Sequence, residues 1–505
     1  MFRKTTTTTQ GDLFSSSSML MMNKREQRQF DDPLAWHNAF YKNVTSLIDE
    51  DLFSVMYKDS GLGAPTASIR RLVAMCWLKE GLCLSDERLF EACGYNLLVR
   101  RALGLEDLME SYPSPDTYYL FRRRLVEWNE SHGEDLLAKC YTDVTRKQIK
   151  AFRLKGSHIR MDSKLVCSNI APYGRYRIVH STFCKEVNAD DLEHLQQASA
   201  VLYRQAKDIL GEDAEKVIYT SDSPTIRKRM IDLGCLIQEI LQRREEGTGG
   251  LLARVFDEQY VVKDKQLELR EGKQVSPTSV QNPNDPDAHY RKKGDQQVRG
   301  NVVNITETVD EENGLNLITS VQVAPATTAD NSFVAEAVSD TEQLTGNKVE
   351  RIYADGAYNS ETNRQLGAEL ILTGIQGKQG RYRLSKQDNC LILTDTQTGE
   401  QIHAEWIDKA KKWRIKTEKG YRYFSEEDIQ KQEARIKQEM TPPDLLKKRN
   451  NVEATIRHFA CCLEKNKSRY RGLLKHKFMA WARCSWINFV RIMNFELRMA
   501  AKVAY

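Results

Sequence analysis

The chain has 505 residues, 40% hydrophobic and 9% aromatic, enough for two to four domains with real cores, which excludes wholesale disorder. Its 75 Lys and Arg stand against 70 Asp and Glu, a formal charge of +5, so net charge alone announces no nucleic-acid partner. Eleven cysteines without a C-x-x-C pair fit reduced thiols, and no apolar run reaches the roughly 18 residues of a membrane span, which predicts a soluble, cytoplasmic protein with no membrane partner.

Residues 1–29 are rich in Thr and Ser and too polar to offset the cost of ordering, so they read as a disordered tail. From 30 to 148 the pattern is helical. In "ASIRRLVAMCWLKEG" the apolar residues Ile69, Leu72, Val73, Cys76 and Trp77 recur three and four apart, and Gly81 reads as the C-cap. Ser85 opens the next helix, and Ser114-Pro115-Asp116 opens another, with serine as N-cap and proline at the first helical position. That helix carries Arg122, Arg123 and Arg124, which read either as a solvated face or as a phosphate-contacting one.

"HIRMDSKLVCSNI", bounded by Gly156 and Pro172-Tyr173-Gly174, reads as a strand and a turn. Residues 185–255 return to helical spacing, and 282–297 form a loop with a basic run at Arg291, Lys292 and Lys293. Val303, Ile305 and Val309, then Leu317, Val321 and Val323, predict a hairpin with Asn313-Gly314 at its turn. A helix over about 331–345, a strand in "VERIYADG", a helix over about 360–367 and a strand in "AELILTGI" follow. Residues 376–440 read as an insertion with its own small sheet and a charged helix, and Pro442-Pro443 precede a helical segment running to about 498. The expected architecture is mixed α/β: an all-α region at 30–148, a core over 149–375, a β-rich insertion at 376–440 and a helical part at 441–505.

Two acids stand where charge is ordinarily excluded. Asp162 lies within an apolar strand and Asp355 at the end of another, so each needs a cation, a metal or a hydrogen-bond partner; a strand-end turn or helix cap is the alternative reading. On "NNVEATIRHFACCLEK" the stripe Val452, Ile456, Phe459, Ala460 and Leu463 faces the core, with Glu453 at its edge between Arg449 and Arg457, where surface pairing is the alternative. Three carboxylates brought together can hold two Mg²⁺ ions for phosphodiester chemistry. No H-E-x-x-H, zinc-type cysteine spacing, phosphate loop or serine elbow competes with them.

"ASIRRLVAMCWLKEGLCLSDERLFEACGYNLLVRRALGL", "SYPSPDTYYLFRRRL", "RMDSKLV", "DPDAHYRKKGD", "YADGAYNSETNRQL" and "RNNVEATIRHF" together resemble the bacterial insertion-sequence transposases of the DDE type with an InsH-like N-terminal domain, over about residues 30–490. The resemblance implies an RNase H-like core with Asp162 on its first strand, Asp355 after its fourth and Glu453 on a later helix. These would hold two Mg²⁺ (or Mn²⁺) ions, Asp162 contacting both, Asp355 one and Glu453 the other. It further implies a metal-dependent enzyme that binds terminal inverted repeats, cleaves and transfers strands, with double-stranded transposon-end and target DNA as partners, a homodimer at synapsis and a nucleoid-associated setting. Lys164, Arg175, Arg177, Lys292, Lys293, Arg299 and Arg449 would neutralise phosphates, while the N-terminal helices with Arg122, Arg123 and Arg124 would recognise ends in a helix-turn-helix-like manner.

The relatives' Tyr-x2-Arg-x3-Glu-x6-Lys signature is kept here at Arg449 and Glu453, but Leu446 and Ala460 fill its tyrosine and lysine positions. Lys465 and Lys467 are the candidates to replace that lysine. A transposase-derived DNA-binding repressor without catalysis and a two-metal DNA nuclease are the other readings.

Overall fold

Side-chain caps punctuate the N-terminal helices. Ser68, Ser85, Asn96 and Ser114 each accept a first-turn backbone N–H, starting the helices Ile69–Gly81, Asp86–Tyr95, Leu97–Ala102 and Pro115–His132. With Trp36–Asn43 and Leu136–Phe152 they bury Phe40, Trp77, Tyr118 and Phe121, and the long C-terminal helix Leu473–Val503 adds Phe478 and Phe489 to the same core. Leu82, not Gly81, caps the first of these helices. Gly81 instead allows close approach of the C-terminal helix, because a Cβ there would overlap the Trp486 indole.

The computed structural model describes residues 22–503 except 58–65, 107, 109, 246, 248, 265, 313, 376–379, 388–389 and 418–419. Residues 1–21 of the expected tail and Asn313 of the expected turn therefore lie outside the described residues. Order begins before residue 30: Lys24–Phe30 form a helix closed by a reciprocal Asn23–Glu26 capping box and anchored by buried Phe30.

Strand β1 (His158–Cys167) is followed by a second helical block that was expected only as helical spacing. Six helices from Arg175–Glu186 to Gly250–Gln259 enclose their own core of Phe183, Leu195, Leu236, Ile237 and Val255, beside a hairpin of β2 (Tyr260–Lys263) and β3 (Gln266–Leu269). The main sheet resumes with β4 (His289–Lys293), β5 (Gln296–Thr308), β6 (Ile318–Pro325), β7 (Arg351–Asp355) and β8 (Glu369–Thr373). β1 pairs antiparallel with β5 on one side and parallel with β7 on the other. β7 continues parallel to β8, while the far edge of β5 pairs antiparallel with β4 and then β6, so the expected hairpin is present.

Alternation along β1 sorts its side chains between two layers. Ile159 and Met161 pack with Val334 and Ala337 of the helix Val334–Thr345, whereas Val166 packs with Phe459 of the helix Asn450–Phe459 and Met479 of the C-terminal helix. Asp162 and Lys164 share the parity of Val166 and so belong to the second face.

The insertion is an antiparallel meander of β9 (Tyr382–Gln387), β10 (Cys390–Asp395), β11 (Gln401–Ile407), β12 (Lys412–Thr417) and β13 (Gly420–Phe424), with the helix Glu426–Met440 contributing Ile429 to its core. The continuous helical segment expected after Pro443 is broken into Pro443–Lys447, Asn450–Phe459 and Leu473–Val503; the second break falls where Cys462, Lys465 and Asn466 take left-handed backbone conformations that no helix continues through. The helix expected over 360–367 is reduced to Glu361–Arg364. Cys83 and Cys462 are joined by a disulfide, with Cα atoms 6.2 Å apart, where free thiols were expected; a sequence separation of 379 leaves no local spacing by which to see it. No helix among the described residues is long and apolar enough to cross a membrane.

Candidate active site

The parallel pairing of β1 with β7 sets His158 opposite Arg351 and Arg160 opposite Tyr353. Carried two residues further, the same register puts Asp162 level with Asp355 on neighbouring strands. Asp162 also lies opposite Ile305 of β5, so it occupies the middle of the sheet. Its Oδ1 accepts the Ser163 backbone N–H at 2.8 Å, and its Oδ2 accepts from Arg449 Nη2 at 3.1 Å. The same guanidinium donates through Nη1 to Glu453 Oε1, again at 3.1 Å. Arg449 thus spans the strand acid and the helix acid, and its own buried Nε has no hydrogen-bond partner.

Burial pushes the Asp162 carboxyl above the usual carboxylate range; Arg449 opposes the shift, and Asp355 and Glu453 reinforce it. Those two acids are therefore close enough to be felt by Asp162. Asp355 ends β7 and uses Oδ1 to accept the Ala357 N–H at 2.8 Å, so it does cap the short turn Gly356–Tyr358 as the plainer reading held. Glu453 is largely exposed, with 60% of its side chain accessible, so it meets the site from the solvent side.

A fourth acid, Asp330, was not singled out from the sequence. Its Oδ1 accepts from Ser163 Oγ at 2.9 Å; burial raises the Tyr358 hydroxyl well above its ordinary range, and Asp162, Asp330 and Asp355 reinforce the shift. Nothing in "TTADNSF" marks it, since a lone acid after a strand is ordinary.

A buried polar network positions these elements. Glu307, fully buried on β5, accepts from Arg160 Nε of β1 and from Thr455 Oγ1 at 2.6 Å, and forms an ion pair with Arg491 Nη2 at 2.7 Å. Arg160 is two residues from Asp162 and also donates to Lys448 O at 3.3 Å, next to Arg449, while Thr455 lies two residues from Glu453. Strand, helix and arginine are thereby fixed to one carboxylate. Burial alone would raise the Glu307 pKa, but Arg491 and Arg160 outweigh it and hold the carboxyl below the usual range. The sequence signal was present in "NVVNITET": an acid in a strand buried on both faces needs cations.

The hard oxygen donors of Asp162, Asp355, Glu453 and Asp330 suit magnesium or manganese. Their spacing is open, however. Among the described residues, the cluster whose ligand atoms all lie within 4.8 Å of one another is Cys83, Cys461 and Cys462, not the carboxylates. The donors fit such ions in kind, while Arg449 bridges Asp162 and Glu453.

The basic residues fall into three groups. Lys292, Lys293, Lys465 and Lys467 are exposed, and Lys467 adjoins the end of β1 through its pairing with Cys167. Arg123 is exposed beside Glu127, whereas Arg122 lies over the Tyr118 and Tyr470 rings and Arg124 over the Tyr57 ring, so the three do not form one face. Arg175 is spent inside the second helical block, donating to Gln259 Oε1 at 2.7 Å and Arg270 O at 2.8 Å. Arg177 stacks on Tyr173 and pairs with Glu215. Arg299 lies over the Tyr290 ring, and Lys164 shares the face of Asp162. A basic cavity of about 690 Å³, lined by Lys79, Arg122, Arg123, Arg469, Arg471 and Lys475, was not expected; its cations come from segments some 350 residues apart.

Residues 28–124, covering the capped N-terminal helices, match the family described as Transposase domain (DUF772). No curated protein and no solved structure matches the chain.

Proposed function

We propose that the chain is a DDE-type DNA transposase whose RNase H-like core carries Asp162, Asp355 and Glu453 as its metal-binding acids. The observation that carries this reading is the level placement of Asp162 and Asp355 on adjacent parallel strands, with Arg449 joining Asp162 to Glu453. The strand order β6-β5-β1-β7-β8, with the first three antiparallel and the last two parallel to β1, supports the RNase H-like assignment. The match at residues 28–124 supports transposition as the process and DNA as the partner.

Two divalent cations held by these carboxylates would supply activation of the attacking oxygen and stabilisation of the leaving oxygen. Asp162, central in the sheet, would serve both positions, Asp355 one and Glu453 the other. Arg449, once displaced from Glu453, stays beside Asp162 to meet a phosphate oxygen. Exposed Lys292, Lys293, Lys465 and Lys467 provide backbone contacts, and the N-terminal helices, the terminal-repeat contacts. Two copies acting on two ends make a homodimer the functional unit.

The test incubates purified protein with labelled element ends, Mg²⁺ and a target plasmid, comparing wild type with Asp162→Ala, Asp355→Ala and Glu453→Ala. Cleaved and joined ends from wild type alone are expected. Cleavage without joining would mean a nuclease. Binding without cleavage would favour the repressor reading, for which the Arg449 bridge between two of the acids is the supporting observation.

A further inference from the structure

We infer that Cys83, Cys461 and Cys462, completed by His458, form a thiolate site for a soft divalent cation such as Zn²⁺ when the chain is reduced. The three sulfur atoms all lie within 4.8 Å of one another, and Cys461 Sγ and Cys462 Sγ are 3.7 Å apart. A tetrahedral zinc with bonds of about 2.3 Å sets its sulfur ligands about 3.8 Å from each other, so that separation suits a shared ion.

The backbone is arranged to converge the thiols. Adjacent residues normally point away from each other, but Cys462 has a φ of 62° and Cys83 a φ of 57°. Such left-handed conformations are unfavourable for non-glycine residues. His458 precedes the cysteine pair by one helical turn, and with Cys83 and Cys461 it lines a small cavity of about 40 Å³. That imidazole lies outside the set of ligand atoms within 4.8 Å of one another, so it would turn toward the sulfurs to supply the fourth donor.

Both halves of the site are held by the surrounding polar groups. Arg483 donates through Nη1 to Phe459 O at 2.8 Å and Cys461 O at 2.6 Å, and through Nε to Glu80 Oε2 at 3.0 Å. Arg469 donates to Leu84 O at 2.7 Å and Cys83 O at 3.3 Å. These cations also offset the single negative charge that three thiolates, a neutral histidine and Zn²⁺ leave behind. Binding releases three thiol protons to solvent and transfers no electrons. The Cys83–Cys462 disulfide removes two donors, so metal and disulfide exclude each other. The cation would fasten the helical region that carries the transposase-domain match to the segment just after the Glu453 helix.

The test uses the full chain, reduced with a phosphine and free of DNA and magnesium, so that its failure leaves the proposed DNA chemistry untouched. Titration with Co²⁺ is expected to give a thiolate-to-cobalt charge-transfer band and tetrahedral visible bands that saturate at one equivalent and are bleached by Zn²⁺. Cys83→Ser, Cys461→Ser and Cys462→Ser should each weaken binding ten-fold or more, His458→Ala should weaken it with the thiolate band retained, and Cys184→Ser, at an exposed thiol outside the cluster, should not change it. Absence of the thiolate band in the reduced wild type would overturn the inference. So would Cys461→Ser binding as tightly as wild type, and because Cys461 is exposed, that variant decides the matter even if Cys83→Ser fails to fold.

Discussion

The Arg449 guanidinium donates to Asp162 Oδ2 at 3.1 Å, tying the helix that carries one acid to the strand that carries another. The bond lowers the Asp162 pKa against the burial that raises it. Replacing Arg449 by Met removes the opposing charge, so Asp162 holds its proton to higher pH. Because only the ionised carboxylate binds a cation well, the acidic limb of a cleavage pH profile should move upward in Arg449→Met relative to wild type. An unmoved limb would show that Asp162 does not titrate in the active complex.

Asp162 also carries a stability cost that its replacement should relieve. Its folded pKa lies above the unfolded value, so its contribution is most favourable below the unfolded pKa and is lost as pH rises through the folded one. At neutral pH the ionised group therefore weighs against folding, and Asp162→Asn should melt higher than wild type at pH 8, the difference closing towards pH 4. If the carboxylate supplies about 4 kcal/mol of transition-state stabilisation, the same variant should lose about 10³-fold in cleavage rate. Thermal melts and single-turnover assays on one preparation check both halves.

Magnesium should act through the same group. At about ten times its dissociation constant a cation that binds only the folded chain adds about 1.4 kcal/mol. Wild type should therefore melt higher with Mg²⁺ than with a chelator, and Asp162→Asn should show no such rise. An equal rise in both would place the magnesium elsewhere.

Glu307 ties Arg160, Arg491 and Thr455 to one buried carboxylate. Its folded pKa is depressed, so its stabilisation is present above the unfolded carboxylate value and is lost as pH falls through the folded one. Glu307→Ala leaves Arg160 and Arg491 without their carboxylate and should cost about 3–5 kcal/mol at pH 7. Urea unfolding at pH 7 and pH 4 should show wild type losing stability on acidification and the variant losing much less.

How much of this was legible follows from what each signal depends on. Strand alternation and serine caps are local, so β6, β7, β8 and the Ser85 and Ser114 helices stand where the residues placed them, whereas β4 and the start of β5 occupy part of the expected 282–297 loop. Asp162 and Asp355 were visible as acids in apolar strands, but their level register depends on pairing between distant segments. The Arg175 side chain looked free because its partners Gln259 and Arg270 are remote in sequence, and the Cys83–Cys462 contact was invisible for the same reason.

Gly356, beside Asp355, stands where two backbone segments pass close to each other. A Cβ built on Gly356 would sit 2.7 Å from Ile375 Cα and 3.3 Å from Gly374 O, so the glycine admits the chain leaving β8. Backbone atoms cannot swing aside as a flexible side chain can, so Gly356→Ala must displace either the turn or that segment. Overpacking of this kind costs typically about 1–3 kcal/mol. Because Asp355 caps the turn through the Ala357 N–H, the displacement also moves the carboxylate away from Asp162. Gly356→Ala should therefore lower the melting temperature and weaken the Mg²⁺-dependent rise in melting together. A variant that melts lower yet keeps the full magnesium response would show that the turn can shift without carrying Asp355 with it.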